Sequence, residues 1–151
     1  MTVPKIALVT GGATGIGKAI VKALLDEGNI VNFCDINTVR GEETQKELAL
    51  NGAKVSFRPC DVSDEAQVKS VVDLVYQECG PIDFLVNNAG IIQRRIFGEP
   101  ISIADWDLVL KVNLRGAFLF CKFVSEYMIP CRSGRIVNIS SIAGKMGDIT
   151  S

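Results

Sequence analysis

The sequence contains no histidine among its 151 residues. Without an imidazole the chain cannot itself form the Ser-His-Asp or Cys-His pairs that many hydrolases use, so any catalysis needs another base. The five cysteines are scattered, and no two of them form a Cys-x-x-Cys pair. This pattern argues against both a disulfide framework and a zinc site, and we expect no bound metal.

The sequence also has no large excess of charge of either sign and no long apolar run. With 16 basic and 17 acidic residues, the net charge of -1 gives no basic surface that would attract nucleic acid. No stretch approaches the roughly 20 apolar residues of a membrane-spanning helix, and the first residues lack the apolar core of a signal peptide. We therefore expect a cytoplasmic protein with neither nucleic acid nor a membrane as partner. The length and the 48% apolar content fit one domain over residues 1–151.

The first informative stretch is an apolar run at residues 6–9 that leads directly into a glycine-rich turn. Because the run shows no polar alternation, it predicts a strand covered on both faces. The turn begins with Thr10 and holds four glycines: Gly11, Gly12, Gly15 and Gly17. Apolar residues then recur at helical spacing. Glycines let the backbone approach a ligand closely at the start of a helix, so the stretch predicts a pyrophosphate site, with a tight turn as the alternative.

Apolar runs and helical patterns alternate along the rest of the chain. Further strands are predicted at residues 30–34, 54–58, 84–86 and 135–139, with helices between them. Ser63 is the predicted cap of the third helix. The alternation predicts an α/β fold with a doubly wound parallel sheet and right-handed crossovers. If the strand order is 3-2-1-4-5, the carboxyl ends of the first and fourth strands line the binding crevice.

Asp35 ends the second apolar run, about 20 residues beyond the glycine turn. In a dinucleotide fold a carboxylate at this point binds the ribose hydroxyls, and it repels a 2′-phosphate. We therefore favour NAD over NADP as the cofactor. The alternative is an aspartate that caps the next helix, and Arg40 is a candidate for holding a phosphate.

Two asparagines, Asn87 and Asn88, follow the fourth strand, and Ser140 and Ser141 follow the fifth. Asparagine suits a simple turn, because it tolerates left-handed backbone. Two adjacent amides at a strand end are well placed to tie neighbouring loops together, and we favour this role.

A long helix is predicted from Ser102 to about Met128, with Ser102 and Asp105 in capping-box spacing. Asn113 lies within its apolar stripe, so its amide needs hydrogen-bond partners in the core or faces a wet site. The residues of this predicted buried stripe are Trp106, Leu110, Leu114, Ala117, Phe118, Cys121 and Met128.

Together these motifs resemble those of the short-chain dehydrogenase/reductase family over nearly the whole chain. Residues 10–17 match its cofactor motif, 61–62 its adenine contact and 87–90 its fourth-strand motif. The resemblance implies a Rossmann-type fold and cofactor contacts from Thr10, Gly11, Gly12, Thr14, Gly15, Ile16, Gly17, Asp35, Ile36, Asp61, Val62, Asn87, Asn88, Ala89 and Gly90. Thr14 is uncharged where NADP-preferring relatives often carry a basic residue, which agrees with the preference inferred from Asp35.

The resemblance also implies hydride transfer between NAD(H) and a small-molecule alcohol or ketone. Ser141 is the implied catalytic serine, which hydrogen-bonds the substrate oxygen, and Asn113 is the implied catalytic asparagine, which holds a water in the proton path. No metal takes part.

The family's Tyr-x-x-x-Lys motif is not found in these residues. Tyr76 is followed four positions later by Gly80, and Tyr127 by Cys131. We therefore expect residues 1–151 to be the dinucleotide-binding part of a longer enzyme, lacking the C-terminal strands of the family fold and inactive alone. The alternative is a non-catalytic nucleotide-binding module.

Residues 91–95, Ile-Ile-Gln-Arg-Arg, look like a loop of the family's sugar-acid dehydrogenases, and arginine suits a carboxylate. An exposed basic pair is the alternative, and the 3-oxoacyl-acyl-carrier-protein reductases share every motif quoted. Relatives usually assemble through the 102–128 helix and the helix after the active-site tyrosine, so we expect the intact enzyme to be a homodimer or homotetramer.

Overall fold

The computed structural model describes residues 3–92 and 100–146. The strands are β1 (Ile6–Thr10), β2 (Ile30–Asp35), β3 (Val55–Pro59), β4 (Phe84–Asn87) and β5 (Arg135–Asn138). The helices are α1 (Gly15–Asp26), α2 (Thr38–Leu48), α3 (Glu65–Cys79), α4 (Ile103–Leu110), α5 (Ala117–Cys131) and α6 (Ala143–Met146). A 3-10 turn (Leu50–Gly52) precedes β3, and a π-helical segment (Lys111–Gly116) joins α4 to α5.

The five strands form one parallel sheet in the order β3-β2-β1-β4-β5, as predicted. β1 is central, because Leu8 is paired with Asn32 of β2 on one side and with Leu85 of β4 on the other. The chain runs outward from β1 to β3 and then crosses back to β4. The carboxyl ends of β1 and β4 are therefore neighbours, and their connections leave in opposite directions, which opens a crevice between them.

Each face of the sheet has its own apolar core. On one face, α3 and α5 bury their valines and phenylalanines, such as Val72 and Phe120, against Leu8 and Leu85. On the other face, α1 and α2 cover Ala7, Val9, Phe33 and their neighbours. Because side chains of a strand alternate between faces, the unbroken apolar run of β1 feeds both cores.

The long predicted helix is divided, and its predicted buried stripe is wrong for the isolated chain. Trp106 is 53% exposed, Leu114 65% and Phe118 60%. Of the predicted set only Met128 is buried, while Ala117 and Cys121 are half-buried. The other buried residues of α5 lie on the adjacent face: Leu119, Phe120, Phe123 and Val124. Both faces are apolar, so helical spacing alone does not tell which one meets the sheet.

The cap of α3 is also corrected. Asp64, and not Ser63, caps this helix, because its Oδ1 accepts the backbone N–H groups of Ala66 at 2.9 Å and Gln67 at 3.0 Å. These hydrogen bonds lower the pKa of the Asp64 carboxyl, and the bond from the Gln67 N–H has the largest effect. The Ser102 cap of α4 is confirmed, since its hydroxyl accepts the N–H of Asp105 at 3.0 Å.

Candidate functional site

A pocket of about 410 Å³ lies at the carboxyl ends of β1 and β4. It is lined by Gly11, Thr14, Gly15, Ile16, Gly17, Asp35, Ile36, Cys60, Asp61, Val62, Asn88, Ala89, Gly90, Ile91 and Val112. Most of the residues predicted to contact a cofactor are thus brought together. Thr10, Gly12 and Asn87 were predicted with them, but they do not line this pocket.

The floor of the pocket is the turn between β1 and α1. Gly11 and Gly15 adopt left-handed backbone, with φ of 65° and 55°. At Gly17 a Cβ would lie 2.0 Å from the Gly11 carbonyl oxygen, so no side chain fits there. The Thr14 side chain makes no capping bond, and the first turn of α1 holds no acidic residue. The start of α1 therefore presents backbone N–H groups, with their partial positive charge, to the pocket.

Hydrogen bonds join this turn to the loop after β4. The Thr10 hydroxyl accepts the N–H groups of Asn88 and Ala89, each at 3.0 Å. In return, the Asn88 side-chain amide donates to the carbonyls of Thr10 at 3.0 Å and Gly11 at 3.1 Å. Asn88 is thus a tie between neighbouring loops, which is one of the two interpretations of the asparagine pair.

The Asn87 side chain instead forms a hydrogen bond between two strands of the sheet, β4 and β5. Its Nδ2 donates to Oδ1 of Asn138 at 2.8 Å and lies 3.3 Å from Sγ of Cys121. Its own Oδ1 is buried and has no hydrogen-bond partner among the described residues. It borders a second, small cavity of about 60 Å³ between β4, β5 and the π-helical segment.

Asp35 lines the pocket and also holds the turn in place. Its Oδ2 accepts the N–H of Ala13 at 3.1 Å, and its Oδ1 accepts the N–H of Asn37 at 3.0 Å. It does not cap α2, because that cap is Asn37, whose Oδ1 accepts the N–H of Arg40. The Arg40 guanidinium is bound to Glu43 at 3.0 Å and does not line the pocket.

Three lining residues were missed by sequence reasoning: Cys60, Ile91 and Val112. The first two are direct neighbours of the predicted Asp61 and Gly90, and this adjacency was the available signal.

Behind Cys60 lies the buried Cys34. The pKa of the Cys34 thiol is raised well above its ordinary value, first by its hydrogen bond with the Cys60 thiol and then by burial, so Cys34 remains a neutral thiol.

Asn113 and Ser141, the implied catalytic residues, lie outside the lining of the main pocket. Asn113 belongs to the π-helical segment, where its Oδ1 accepts the Ile91 N–H at 2.8 Å and its Nδ2 donates to the Ile91 carbonyl at 2.9 Å. It borders the small cavity. Ser141 is exposed, and its hydroxyl accepts the N–H of Ala143 at 3.2 Å.

Of the loop that resembles the sugar-acid dehydrogenases, Ile91 and Ile92 are described, and residues 93–95 lie outside the described residues. Over the ranges 3–92 and 100–146, no helix combines the length and apolarity needed to cross a membrane. The same ranges hold no group of three or more histidine, cysteine, aspartate or glutamate side chains arranged to bind a metal ion.

A parallel sheet of order 3-2-1-4-5 with a glycine-floored pocket at its switch point defines a Rossmann-type nucleotide-binding fold. A family model described as "short chain dehydrogenase" matches residues 5–151. The chain belongs to the short-chain dehydrogenase family.

Similar proteins include oxidoreductases with different substrates. A 3-oxoacyl-[acyl-carrier-protein] reductase of Thermotoga maritima is 41% identical over 95% of this chain and 58% of its own length. A D-threitol dehydrogenase of Mycolicibacterium smegmatis is 42% identical over 92% of this chain and 53% of its own length. The crystal structure of an actinorhodin polyketide ketoreductase with NADPH has a TM-score of 0.92 at 36% identity, with 97% of this chain and 57% of that chain covered. The chain thus spans little more than half of each relative.

The tie between the two loops predicts a specific loss of stability. Replacing Thr10 with Val keeps the side-chain shape but leaves the N–H groups of Asn88 and Ala89 without their acceptor. We expect the free energy of unfolding, measured with urea, to fall by roughly 1–3 kcal/mol. Thr10→Ser keeps the hydroxyl and is the matched control, with a loss of at most about 1 kcal/mol for the missing methyl. A larger loss in Thr10→Ser than in Thr10→Val would contradict this account.

Proposed function

We propose that residues 1–151 form a dinucleotide-binding domain and that the pocket between β1 and β4 takes NAD. We further propose that the gene product transfers a hydride between NAD(H) and a substrate carbon bearing a hydroxyl or carbonyl group. The observation that carries this proposal is the side-chain-free floor at Gly11, Gly15 and Gly17, against which a diphosphate fits. Membership of a family of oxidoreductases supports the chemistry.

The neighbouring residues fit the rest of a dinucleotide. Each Asp35 oxygen accepts one backbone N–H and keeps a lone pair for a ribose hydroxyl. Asp61 and Val62 line the pocket beyond it, where an adenine would lie. Thr14 brings no positive charge, and Arg40 is engaged by Glu43. These features favour NAD, although the similar actinorhodin ketoreductase was crystallised with NADPH.

Two described residues are proposed to serve the reaction. Ser141 hydrogen-bonds the substrate oxygen. Asn113 fixes the loop after β4 through its two bonds to Ile91, and its remaining amide hydrogen and carbonyl lone pair hold a water in the proton path. The nicotinamide ring, when bound, supplies or accepts the hydride.

Neither tyrosine of the chain is suited to be the general base. The Tyr127 hydroxyl donates to Asp73 at 2.8 Å, and its ring stacks on Tyr76 at 4.0 Å, between α3 and α5. The hydrogen bond to Asp73 raises the pKa of Tyr127, which makes its hydroxyl a weaker acid. We therefore propose that the 151 residues bind the dinucleotide but do not turn over substrate by themselves.

The cofactor preference is tested by calorimetric titration of the protein with NAD and NADP. We expect NAD to bind about tenfold or more tightly, because the Asp35 carboxylate would face the 2′-phosphate of NADP. The Asp35→Asn variant keeps the shape and one acceptor but removes the charge, so the preference for NAD should shrink severalfold. Tighter binding of NADP by the unaltered protein would reverse the assignment.

Two substrate classes are candidates for the gene product. A sugar acid is our first candidate, because of residues 91–95. A 3-oxoacyl thioester is the second candidate, and the similarity to a 3-oxoacyl-[acyl-carrier-protein] reductase favours it.

A panel of sugar acids, polyols and 3-oxoacyl thioesters separates these candidates when the gene product is assayed at its full encoded length. We expect a change in NADH absorbance with sugar acids. Activity only on 3-oxoacyl thioesters would select the second candidate. Binding of NAD without turnover of any compound would instead support a non-catalytic nucleotide-binding module.

An exposed apolar face runs along α4, the π-helical segment and α5. Trp106, Leu110, Leu114 and Phe118 form it, and Asp107, Lys111 and Arg115 border its groove. We propose that a second copy of the chain covers this face, because its pairing would bury these side chains and bring opposite charges together.

Replacing Leu114 with Glu tests this assembly. A carboxylate at the centre of the face would lose its hydration on pairing, so we expect the dimer fraction in sedimentation velocity to fall at least about tenfold. Val39→Glu is the control, because Val39 is an equally exposed apolar residue on α2, away from this face. Equal assembly of the two variants would exclude the proposed interface.

A further inference from the structure

Thr44 is a buried hydroxyl residue in the middle of α2, with only 3% of its surface exposed. A threonine inside a helix usually bonds its own helix or points to solvent. Here its Oγ1 instead donates to the carbonyl oxygen of Ala13, 31 residues earlier in the chain, at 2.8 Å. Ala13 belongs to the glycine-rich turn of the pocket, so α2 makes a polar contact with the floor of the site from behind.

The two peptide units on either side of Ala13 are held by different side chains. Asp35 accepts the N–H of Ala13 and so fixes the unit between Gly12 and Ala13. Thr44 binds the carbonyl of Ala13 and so fixes the unit between Ala13 and Thr14. In a trans peptide the C=O and N–H bonds point in opposite directions. A carbonyl turned towards α2 therefore turns the N–H of Thr14 away from α2, and Thr14 lines the pocket.

Other contacts fix the position of α2 itself. At Gly41, one turn before Thr44, a Cβ would lie 2.2 Å from the ring of Phe57, so the helix backbone rests directly on β3. On the α1 side, Lys18 and Glu47 form an ion pair at 2.6 Å. The Thr44 hydroxyl is thus held by a helix whose backbone is anchored on β3, away from the turn.

We propose that Thr44 is a positioning residue for the dinucleotide, and that its hydroxyl orients the peptide between Ala13 and Thr14 so that the Thr14 N–H faces the diphosphate. This inference rests on the proposed function of the pocket. Thr44 acts on the diphosphate subsite through Ala13, whereas Asp35 lines the pocket itself and faces the ribose subsite. Loss of the Thr44 hydroxyl therefore weakens NAD and NADP by the same factor, whereas a change at Asp35 alters their ratio.

Four ligands and two variants test this role. Thr44→Val keeps the side-chain shape without the hydroxyl, and Thr44→Ser keeps the hydroxyl. By calorimetry we expect Thr44→Val to raise the Kd of NAD, NADP and ADP about tenfold, and that of adenosine, which has no diphosphate, less than about twofold. Thr44→Ser should restore the Kd values to within about threefold of the unaltered protein.

Two results would overturn the inference: an unchanged Kd for NAD in Thr44→Val, or an equal loss of ADP and adenosine. A measurement without ligand distinguishes failure of the inference about Thr44 from failure of the proposed function. In the dinucleotide-free protein, amide hydrogen exchange at Ala13 should quicken at least about fivefold in Thr44→Val and return in Thr44→Ser. If the unaltered protein binds neither NAD nor NADP, the proposed function fails, and unchanged exchange at Ala13 would then refute the orientation of the turn as well.

Discussion

The pairing of β1 on both of its edges is the constraint on which the site depends. Because β1 lies between β2 and β4, the turn that follows it meets the acid at the end of β2 on one side and the asparagine loop after β4 on the other. Hydrogen bonds of Thr10 and Asn88 hold the turn to the loop after β4, and a hydrogen bond to Asp35 holds it to the end of β2. The pocket is therefore a product of strand order, because the crossover from β3 to β4 brings the loop after β4 beside the turn that follows β1.

Close backbone contact is the second requirement, and glycine meets it at two positions. Gly17 gives up a side chain so that the start of α1 can approach the Gly11 carbonyl. Gly41 does the same at the back, where α2 rests on the Phe57 ring. The first contact shapes the floor of the pocket, and the second sets the distance between α2 and the sheet. Packing outside the pocket lining thus fixes the position of a helix that hydrogen-bonds to the turn.

The sequence predicted the alternation of strands and helices well, because buried parallel strands are unbroken apolar runs such as residues 6–9. The strand order came from the match to a known fold, since periodicity carries no information on neighbours. The covered face of α5 was misjudged, because two adjacent faces are apolar and only the tertiary structure selects one. The supporting bonds of Thr44 and Asn113 were beyond prediction, as they join positions 31 and 22 residues apart whose proximity depends on the completed sheet.

The amide contact between Asn87 and Asn138 has a consequence for the edge of the sheet. These residues are directly opposite each other in the pairing of β4 with β5, and β5 is exposed along its whole length. A strand with so little burial has a weak preference for one alignment over another, and a slip by one position would turn its side chains over. The asparagine contact would be lost on such a slip, while the apolar contacts of Ile136 and Val137 would merely be exchanged. The hydrogen bond between the two amides therefore favours the observed register over one shifted by a single residue.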